Sequence, residues 1–275
     1  MKPSEIVDHA WDICREYHAQ ELSLTVRQLY YQFVARGLLP NGQSYYKRIV
    51  RALSDARLMS DFPLDWIVDR GRRSSAGDFT MNSIIAEDVI DLAGEYVNSV
   101  PAWLIQRAAW FHQPVHVSVW VEKEALIGVF EPTCSTLGVS LMACKGYPSV
   151  SSLYQWLAQA GRACSEEAWM DNRLPHEGLA ERAVILYFGD HDPDGWEIPR
   201  SAHRNLNTLM LRPDVPSFDL SFHRVALNMD QIEDYDPPPF PAKATSSRYQ
   251  GYLEEHDTDD SWELDALDPK VLRGL

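Results

Sequence analysis

The sequence contains no long apolar run and few cysteines. No stretch approaches the about 20 consecutive apolar residues of a membrane-spanning helix, and Met1–Pro3 leads into the amphipathic segment EIVDHAWDICREY instead of a signal peptide. The four cysteines have no CxxC spacing, which argues against a disulfide framework or a cysteine zinc site and indicates thiols in a reducing compartment. We therefore expect a cytoplasmic protein without membrane contact.

Positive charge is also scarce, with 25 Lys and Arg against 40 Asp and Glu and a net charge of −15. This balance by itself argues against a nucleic-acid partner. The charge is uneven, however, because nine basic residues face four acidic ones between Leu24 and Arg73, whereas acidic residues dominate from Met229 onwards. Distant charges are screened within about 8–10 Å, so the basic segment can still contact phosphates. From charge alone, a basic surface that contacts only solvent is as good an explanation as one that binds phosphates.

The 275 residues, of which 45% are hydrophobic, can bury the core of one large domain or two smaller ones. We predict three regions, which are a helical domain over 1–73, a linker and packing helix over 74–112, and an α/β domain with a C-terminal extension over 113–275. In the first region, one helix is LTVRQLYYQFVARG, with a capping-box pattern at Thr25 and Gln28. The second helix is SYYKRIVRALSDARL, and the following segment DFPLDWIVDRGR is predicted to be a strand or wing.

Helix, turn, helix and wing, with basic residues on the second helix, are typical of a winged helix-turn-helix domain. The predicted contacts with DNA on that second helix are Lys47, Arg48, Arg51 and Arg57.

From residue 115 onwards, apolar strands alternate with helices. The strands are predicted in VHVSVWVEKEAL, VSLMACKGYPS and AVILYFGDHDPDG, each followed by a helix. This order indicates a Rossmann-like, mainly parallel sheet, whose sites form at the carboxyl ends of the strands. Near the C-terminus, Trp262, Leu264 and Leu267 indicate a segment that docks on the sheet.

Carboxylates are concentrated where two of these strands end. Glu122 follows the first strand, and three acids at alternate positions follow the third, namely Asp190, Asp192 and Asp194. Like charges this close become favourable around a divalent cation, which predicts a hard metal, Mg²⁺. The sequence argues against an EF-hand, because the twelfth position of that loop, counted from Asp190, is Ser201 instead of Glu. A helix cap and a turn explain one or two of the acids but not the whole set.

Two adjacent tyrosines lie on the first of the predicted helices. Tyr30 shares one helical face with Leu29 and Phe33 and is expected in the core. Tyr31 points about 100° away, on the same face as Arg27 one turn earlier. An arginine beside a phenol suits phosphoryl transfer, although Tyr next to Arg is a common helical pair.

Three segments resemble the Toprim motifs of the topoisomerase VI A subunit and its relatives that make meiotic double-strand breaks. They are VEKEAL (Val121–Leu126), CKGYPS (Cys144–Ser149) and GDHDPDG (Gly189–Gly195). The segment TVRQLYY is similar to the catalytic helix of the winged-helix domain in the same family.

The resemblance implies the catalytic roles of several residues. It implies Mg²⁺ held by Glu122, Asp190 and Asp192, with other residues often found in relatives at the position of Asp194. Lys145 and Gly146 would line the same edge and contact DNA. Tyr31 would be the nucleophile and Arg27 its helper.

The implied activity is that of a type IIB topoisomerase A subunit of minimal, "mini-A" size, which cleaves double-stranded DNA through a 5′-phosphotyrosyl link. In that family a homodimer combines the tyrosine of one subunit with the metal of the other. No P-loop occurs in the sequence, so strand passage would need a separate ATPase B subunit. Two alternatives remain open, a Toprim nuclease in which water attacks and Tyr31 is structural, and a DNA-binding protein without chemistry.

Overall fold

A computed structural model of the chain describes residues 1–20, 22–69, 113–164 and 180–275. The chain divides into two compact units that are not continuous in sequence. Unit 1 comprises Met1–Arg73, Pro148–Leu157 and Arg204–Val215, and unit 2 comprises Ser74–Tyr147, Ala158–His203 and Pro216–Leu275. The linker and packing helix expected over 74–112 lie outside the described residues.

Unit 1 contains helices α1 (Pro3–His18), α2 (Val26–Ala35) and α3 (Gln43–Met59). The capping box at the start of α2 is confirmed, because Gln28 N donates to Thr25 Oγ1 at 3.2 Å and Thr25 N donates to Gln28 Oε1 at 2.9 Å. The chain leaves α2 through Gly37, whose φ of +68° is a conformation that favours glycine. The two predicted helices of this region are therefore present.

The core of unit 1 forms where the apolar faces of these helices meet. Ile6, Ala10 and Ile13 of α1 recur at helical spacing and are buried, as are Leu29 and Phe33 of α2. After α3, the described residues 61–69 make one isolated parallel bridge, between Ile67 and Leu24, and no two-stranded hairpin. The described part of the segment therefore does not show the predicted wing.

Unit 2 is built on a four-stranded, entirely parallel sheet in the order β2-β1-β3-β4. The strands are β1 (Val115–Val121), β2 (Ser140–Ala143), β3 (Arg182–Phe188) and β4 (Asp219–Ala226). The predicted α/β class with a parallel sheet is confirmed. The edge strand β4 was not predicted, because its polar and apolar residues alternate over only a few positions.

Further helices and short strands lie in the described ranges. They are α4 (Ile127–Leu137), α5 (Val150–Cys164), α6 (Pro193–Leu209), α7 (Met229–Tyr235), β5 (Phe240–Pro241), α8 (Tyr249–His256), β6 (Asp260–Ser261) and α9 (Pro269–Gly274). Within the described ranges, no helix has the length and apolar character needed to cross a membrane.

The C-terminal segment packs against the sheet, as predicted. Trp262, Leu264 and Leu267 belong to the same buried cluster as Val119 and Val121 of β1. The backbone of Trp262 also pairs with that of His191 through hydrogen bonds of 2.8 and 2.9 Å. The end of the chain is thereby fixed against the loop that carries the acidic residues.

Candidate functional site

The sheet order places two of the predicted ligands at a topological switch point. The chain passes from β1 to β2 on one side and then returns to β3 on the other. In parallel sheets, ligands bind at the carboxyl edge where the strand order reverses in this way. Glu122 follows β1 and Asp190 follows β3 at this point, and Glu122 N donates to Phe188 O at 2.9 Å.

Glu122 and Asp190 contact each other directly. The backbone N–H of Asp190 donates to Glu122 Oε2 at 2.9 Å, and the Tyr187 hydroxyl donates to the same oxygen at 3.3 Å. Burial, and next the nearby charge of Asp190, raises the pKa of Glu122 to about 7. Burial likewise raises the pKa of Asp190. Two carboxyl groups in a desolvated site resist ionisation together, and a cation would relieve that cost.

The C-terminal segment also contacts the side chain of Asp190. Its Oδ1 accepts a hydrogen bond from Leu264 N at 2.8 Å, and its Oδ2 lies 3.1 Å from Lys123 Nζ. Lys123 in turn contacts Glu263 at 3.2 Å and Asp265 at 2.7 Å. Sequence reasoning missed Lys123 although it follows Glu122, because two of its partners lie 140 and 142 positions away.

Arg224 of β4 fixes the backbone of the acidic loop and was also missed. Its guanidinium donates to the carbonyl oxygens of Gly195 at 2.8 Å, Gly189 at 3.0 Å and Asp190. Burial lowers the pKa of Arg224, and the carbonyl acceptors compensate part of the lost hydration. Without β4 in the predicted sheet, no sequence signal linked this arginine to the site.

Asp192 caps helix α6. Gly195 N donates to Asp192 Oδ1 at 2.5 Å, and Trp196 N donates to Asp192 O at 3.0 Å. The helix begins at Pro193, earlier than predicted, which places Asp194 in its first turn. One oxygen of Asp192 is therefore used for capping, as the helix-cap explanation of the acidic residues requires.

Asp194 faces different partners. Its Oδ1 lies 3.3 Å from the hydroxyl of Tyr147 and 3.4 Å from Nη1 of Arg248. Neither contact involves the other predicted ligands. Asp194 is thus engaged by a phenol and a guanidinium.

The donor chemistry of Glu122, Asp190 and Asp192 fits Mg²⁺, which prefers carboxylate oxygens. Burial raises the pKa values of both Glu122 and Asp190, and a bound cation would favour their ionised forms. As placed, no three His, Cys, Asp or Glu side chains among the described residues form a closed metal-binding group. These three carboxylates are the ones that would hold the ion, completed by water or substrate oxygens.

The loop after β2 runs along the same edge. Lys145 N donates to Glu122 O at 2.9 Å, and Lys145 and Gly146 have φ values of +52° and +83°. Lys145 Nζ lies 2.8 Å from Glu124 Oε1. The structure thus brings the two predicted loop residues next to Glu122.

The tyrosine pair of α2 divides between the core and the surface. Tyr30 is buried, and its hydroxyl donates to Asn41 Oδ1 at 2.8 Å and accepts from Gly42 N at 2.6 Å. Tyr31 is 47% exposed, and Arg27 Cζ lies 6.0 Å from the centroid of its ring. The neighbouring phenol of Tyr31 raises the pKa of Arg27. The predicted pairing of an exposed phenol with a guanidinium is present.

The predicted DNA contacts on α3 fall into two groups. Lys47, Arg48 and Arg51 are exposed, and Arg48 Nη2 donates to Met1 O at 2.6 Å. Arg57 is only 3% exposed, so its predicted contact with DNA is wrong in this structure. Its guanidinium instead donates to backbone oxygens of Leu64 at 2.8 Å and Ile67 at 3.1 Å, and to Ser151 Oγ at 2.9 Å.

Replacing Arg57 by Met is expected to lower the free energy of unfolding by about 2–4 kcal/mol, because buried acceptors lose a charged donor. Urea unfolding of the whole chain measures this loss. The control is Arg51→Met, the same change at an exposed position of α3, for which we expect a change within about 0.5 kcal/mol. Equal stability of the two variants would contradict a structural role for Arg57.

Replacing Gly195 by Ala is expected to weaken Mg²⁺ binding by about 10–100-fold, the range typical for losing groups that orient metal ligands. A Cβ atom at this position would lie 2.5 Å from the backbone oxygen of Asp190 and 2.9 Å from Glu122 Oε2, so the Asp190 backbone and the Glu122 side chain must shift. Isothermal titration with Mg²⁺ tests this. The control Gly251→Ala places its Cβ in open space in α8, and unchanged Mg²⁺ affinity in both variants would refute the prediction.

Comparison with models of protein families found no match, and no curated protein sequence matches the chain significantly. The description of the protein therefore rests on its own fold and candidate site. This is an α/β protein with a four-stranded parallel sheet that carries the buried Asp190 and the partly buried Glu122 at its carboxyl edge. It also carries a separate helical unit with an exposed Tyr31–Arg27 pair.

Proposed function

We propose that the protein is a DNA transesterase similar to the topoisomerase VI A subunit, with unit 2 as a Toprim domain and unit 1 as a winged-helix domain. The observation that carries the proposal is the contact of Glu122 with Asp190 at the switch point of the sheet. The sequence likeness to the three Toprim motifs identifies the same residues independently. The exposed phenol of Tyr31 beside Arg27 supplies a suitable nucleophile.

In the proposed reaction, Tyr31 Oη attacks a phosphorus atom of the DNA backbone. A bond forms between Oη and phosphorus, the bond to the 3′-oxygen breaks, and the proton lost by the phenol is balanced by the one the 3′-hydroxyl gains. Arg27 stabilises the charge on the attacked phosphate. Mg²⁺ bound by the carboxylates would supply Lewis-acid stabilisation of that phosphate and the leaving oxygen. The phosphotyrosyl bond preserves the energy of the broken one, so resealing needs no cofactor.

The proposed partners follow from this chemistry. Double-stranded DNA is the substrate, and the exposed Lys47, Arg48 and Arg51 provide phosphate contacts on α3. A homodimer would combine Tyr31 of one protomer with the carboxylates of another and cut both strands. Strand passage would require a separate ATPase subunit.

The test is incubation of the protein with supercoiled DNA and Mg²⁺, followed by denaturation with detergent and detection of protein attached to DNA. Covalent adducts at the 5′ ends support the transesterase. Cleaved DNA with free ends would replace the proposal by metal-dependent hydrolysis. DNA binding without cleavage would reduce the protein to a binding module.

A further inference from the structure

A cluster of Tyr147, Asp194 and Arg248 lies beside the proposed metal ligands and has no role in the reaction described above. The guanidinium of Arg248, just before α8, stacks on the ring of Tyr147 with Cζ 4.8 Å from the centroid. Asp194 Oδ1 lies 3.4 Å from Arg248 Nη1 and accepts from the Tyr147 hydroxyl at 3.3 Å. Residues from two other parts of unit 2 thus contact the guanidinium of Arg248.

The described part of the chain uses little of the hydrogen-bonding capacity of Arg248. Within the described ranges only Nη1 donates, to Asp194 and Ser247 at the long distance of 3.4 Å each. The side chain is 41% exposed. An exposed ion pair of this kind contributes little stability. A guanidinium can instead lie over an aromatic ring and keep its donors available. Such a guanidinium is suited to bidentate binding of a phosphate.

The position of the cluster fits such a ligand. Tyr147 follows Gly146 in the loop bonded to Glu122, and Asp194 follows Asp192 by two residues. DNA approaching this acidic edge needs cations. Lys123 is already paired with three carboxylates, and Arg224 is engaged by backbone carbonyls. Among the residues that the structure describes, Nε and Nη2 of Arg248 have no acceptor.

We propose that Arg248 binds a backbone phosphate of DNA next to the one that is cleaved, and that Asp194 together with Tyr147 positions this arginine instead of ligating the metal. The identification of DNA as the source of this phosphate rests on the proposed function. The assignment of Asp194 also explains why its carboxylate faces a phenol and a guanidinium and not Glu122 or Asp190.

The first test measures the affinity for a short DNA duplex by fluorescence anisotropy, without divalent metal and over a series of salt concentrations. Arg248→Ala is expected to weaken binding about tenfold, as for loss of a charged hydrogen bond, and to reduce the slope against log salt by about one. Arg248→Lys should keep the slope and lose affinity, because it retains the charge but not the planar fork.

The matched control is Arg200→Gln. Arg200 is similarly exposed, at 46%, but its guanidinium is paired with Glu255, so its loss should leave the salt slope unchanged. Wild-type affinity and slope in Arg248→Ala would overturn the inference while leaving the proposed function intact. A wild-type protein that binds no DNA would overturn both.

The second test is Mg²⁺ titration by calorimetry without DNA. Asp194→Asn should bind Mg²⁺ as the wild type does while weakening DNA binding in the same direction as Arg248→Ala. Loss of Mg²⁺ binding in Asp194→Asn, as severe as in Asp192→Asn, would make Asp194 a ligand and refute its role as a positioning residue.

Discussion

Replacement of Asp190 by Asn is expected to reduce Mg²⁺-dependent DNA cleavage by about a thousandfold, because a catalytic metal contributes several kcal/mol to stabilising the transition state. Asparagine keeps the shape of the side chain and can still accept from Leu264 N. It removes the negative charge that faces Glu122 at the end of β3. Quantitative cleavage of supercoiled DNA over a range of Mg²⁺ concentrations measures the loss, and calorimetry measures the accompanying fall in Mg²⁺ affinity.

A matched control for this variant is Asp265→Asn. Asp265 contacts the same lysine as Asp190, with Lys123 Nζ at 2.7 Å, but it belongs to the C-terminal segment and lies 39% exposed. Its replacement tests whether weakening the lysine contact alone affects activity. We expect Asp265→Asn to bind Mg²⁺ normally. Equal Mg²⁺ affinities of Asp190→Asn and the wild type would remove Asp190 from the metal site and with it the main support for a Toprim domain.

Local patterns in the sequence predicted the elements that position the site. The alternating valines of β1 and the apolar run of β3 each end in a carboxylate, and the parallel arrangement then brings Glu122 and Asp190 to one edge. The helical spacing of Tyr30 with Leu29 and Phe33 placed Tyr30 inside and Tyr31 outside. These predictions depend on neighbours within a few residues, where the pattern of the chain and its conformation are directly linked.

What the sequence did not reveal depends on distant residues or on burial. The contacts of Lys123 with Glu263 and Asp265, and of Arg224 with the acidic loop, join segments that lie far apart in the chain. Charge alone cannot distinguish a buried arginine from an exposed one.

A signal for the burial of Arg57 existed nonetheless. Arg57 continues the series Ile49 and Leu53 at intervals of four residues, both of which are buried. Its helical position therefore indicated the core, in spite of its charge. The pair Asp192 and Pro193 was likewise a start signal for α6, because proline is favoured in the first position of a helix.

Replacement of Tyr31 by Phe is expected to abolish covalent attachment to DNA, with a loss of about 10⁴-fold or more, the range seen when an enzyme loses its nucleophile. The change should leave stability within about 0.5 kcal/mol, as for other exposed positions. Tyr31 is 47% exposed, and its ring contacts are with Tyr30 at 5.5 Å and Arg27 at 6.0 Å. Detergent-trapped adducts measure the chemistry, and thermal unfolding measures the stability.

The neighbouring variant Tyr30→Phe should give the opposite result. The Tyr30 hydroxyl bonds to Asn41 and Gly42 in the turn before α3, so its removal should cost about 0.5–1.5 kcal/mol, the usual net contribution of a hydrogen bond. The nucleophile is retained, and the folded fraction should still form adducts. If Tyr31→Phe cleaves DNA to free ends at the wild-type rate, water is the nucleophile and the carboxylates of unit 2 act without a tyrosine. If both variants lose adducts only in proportion to their unfolding, neither hydroxyl is the nucleophile and another residue forms the adduct, which would refute the proposed role of Tyr31.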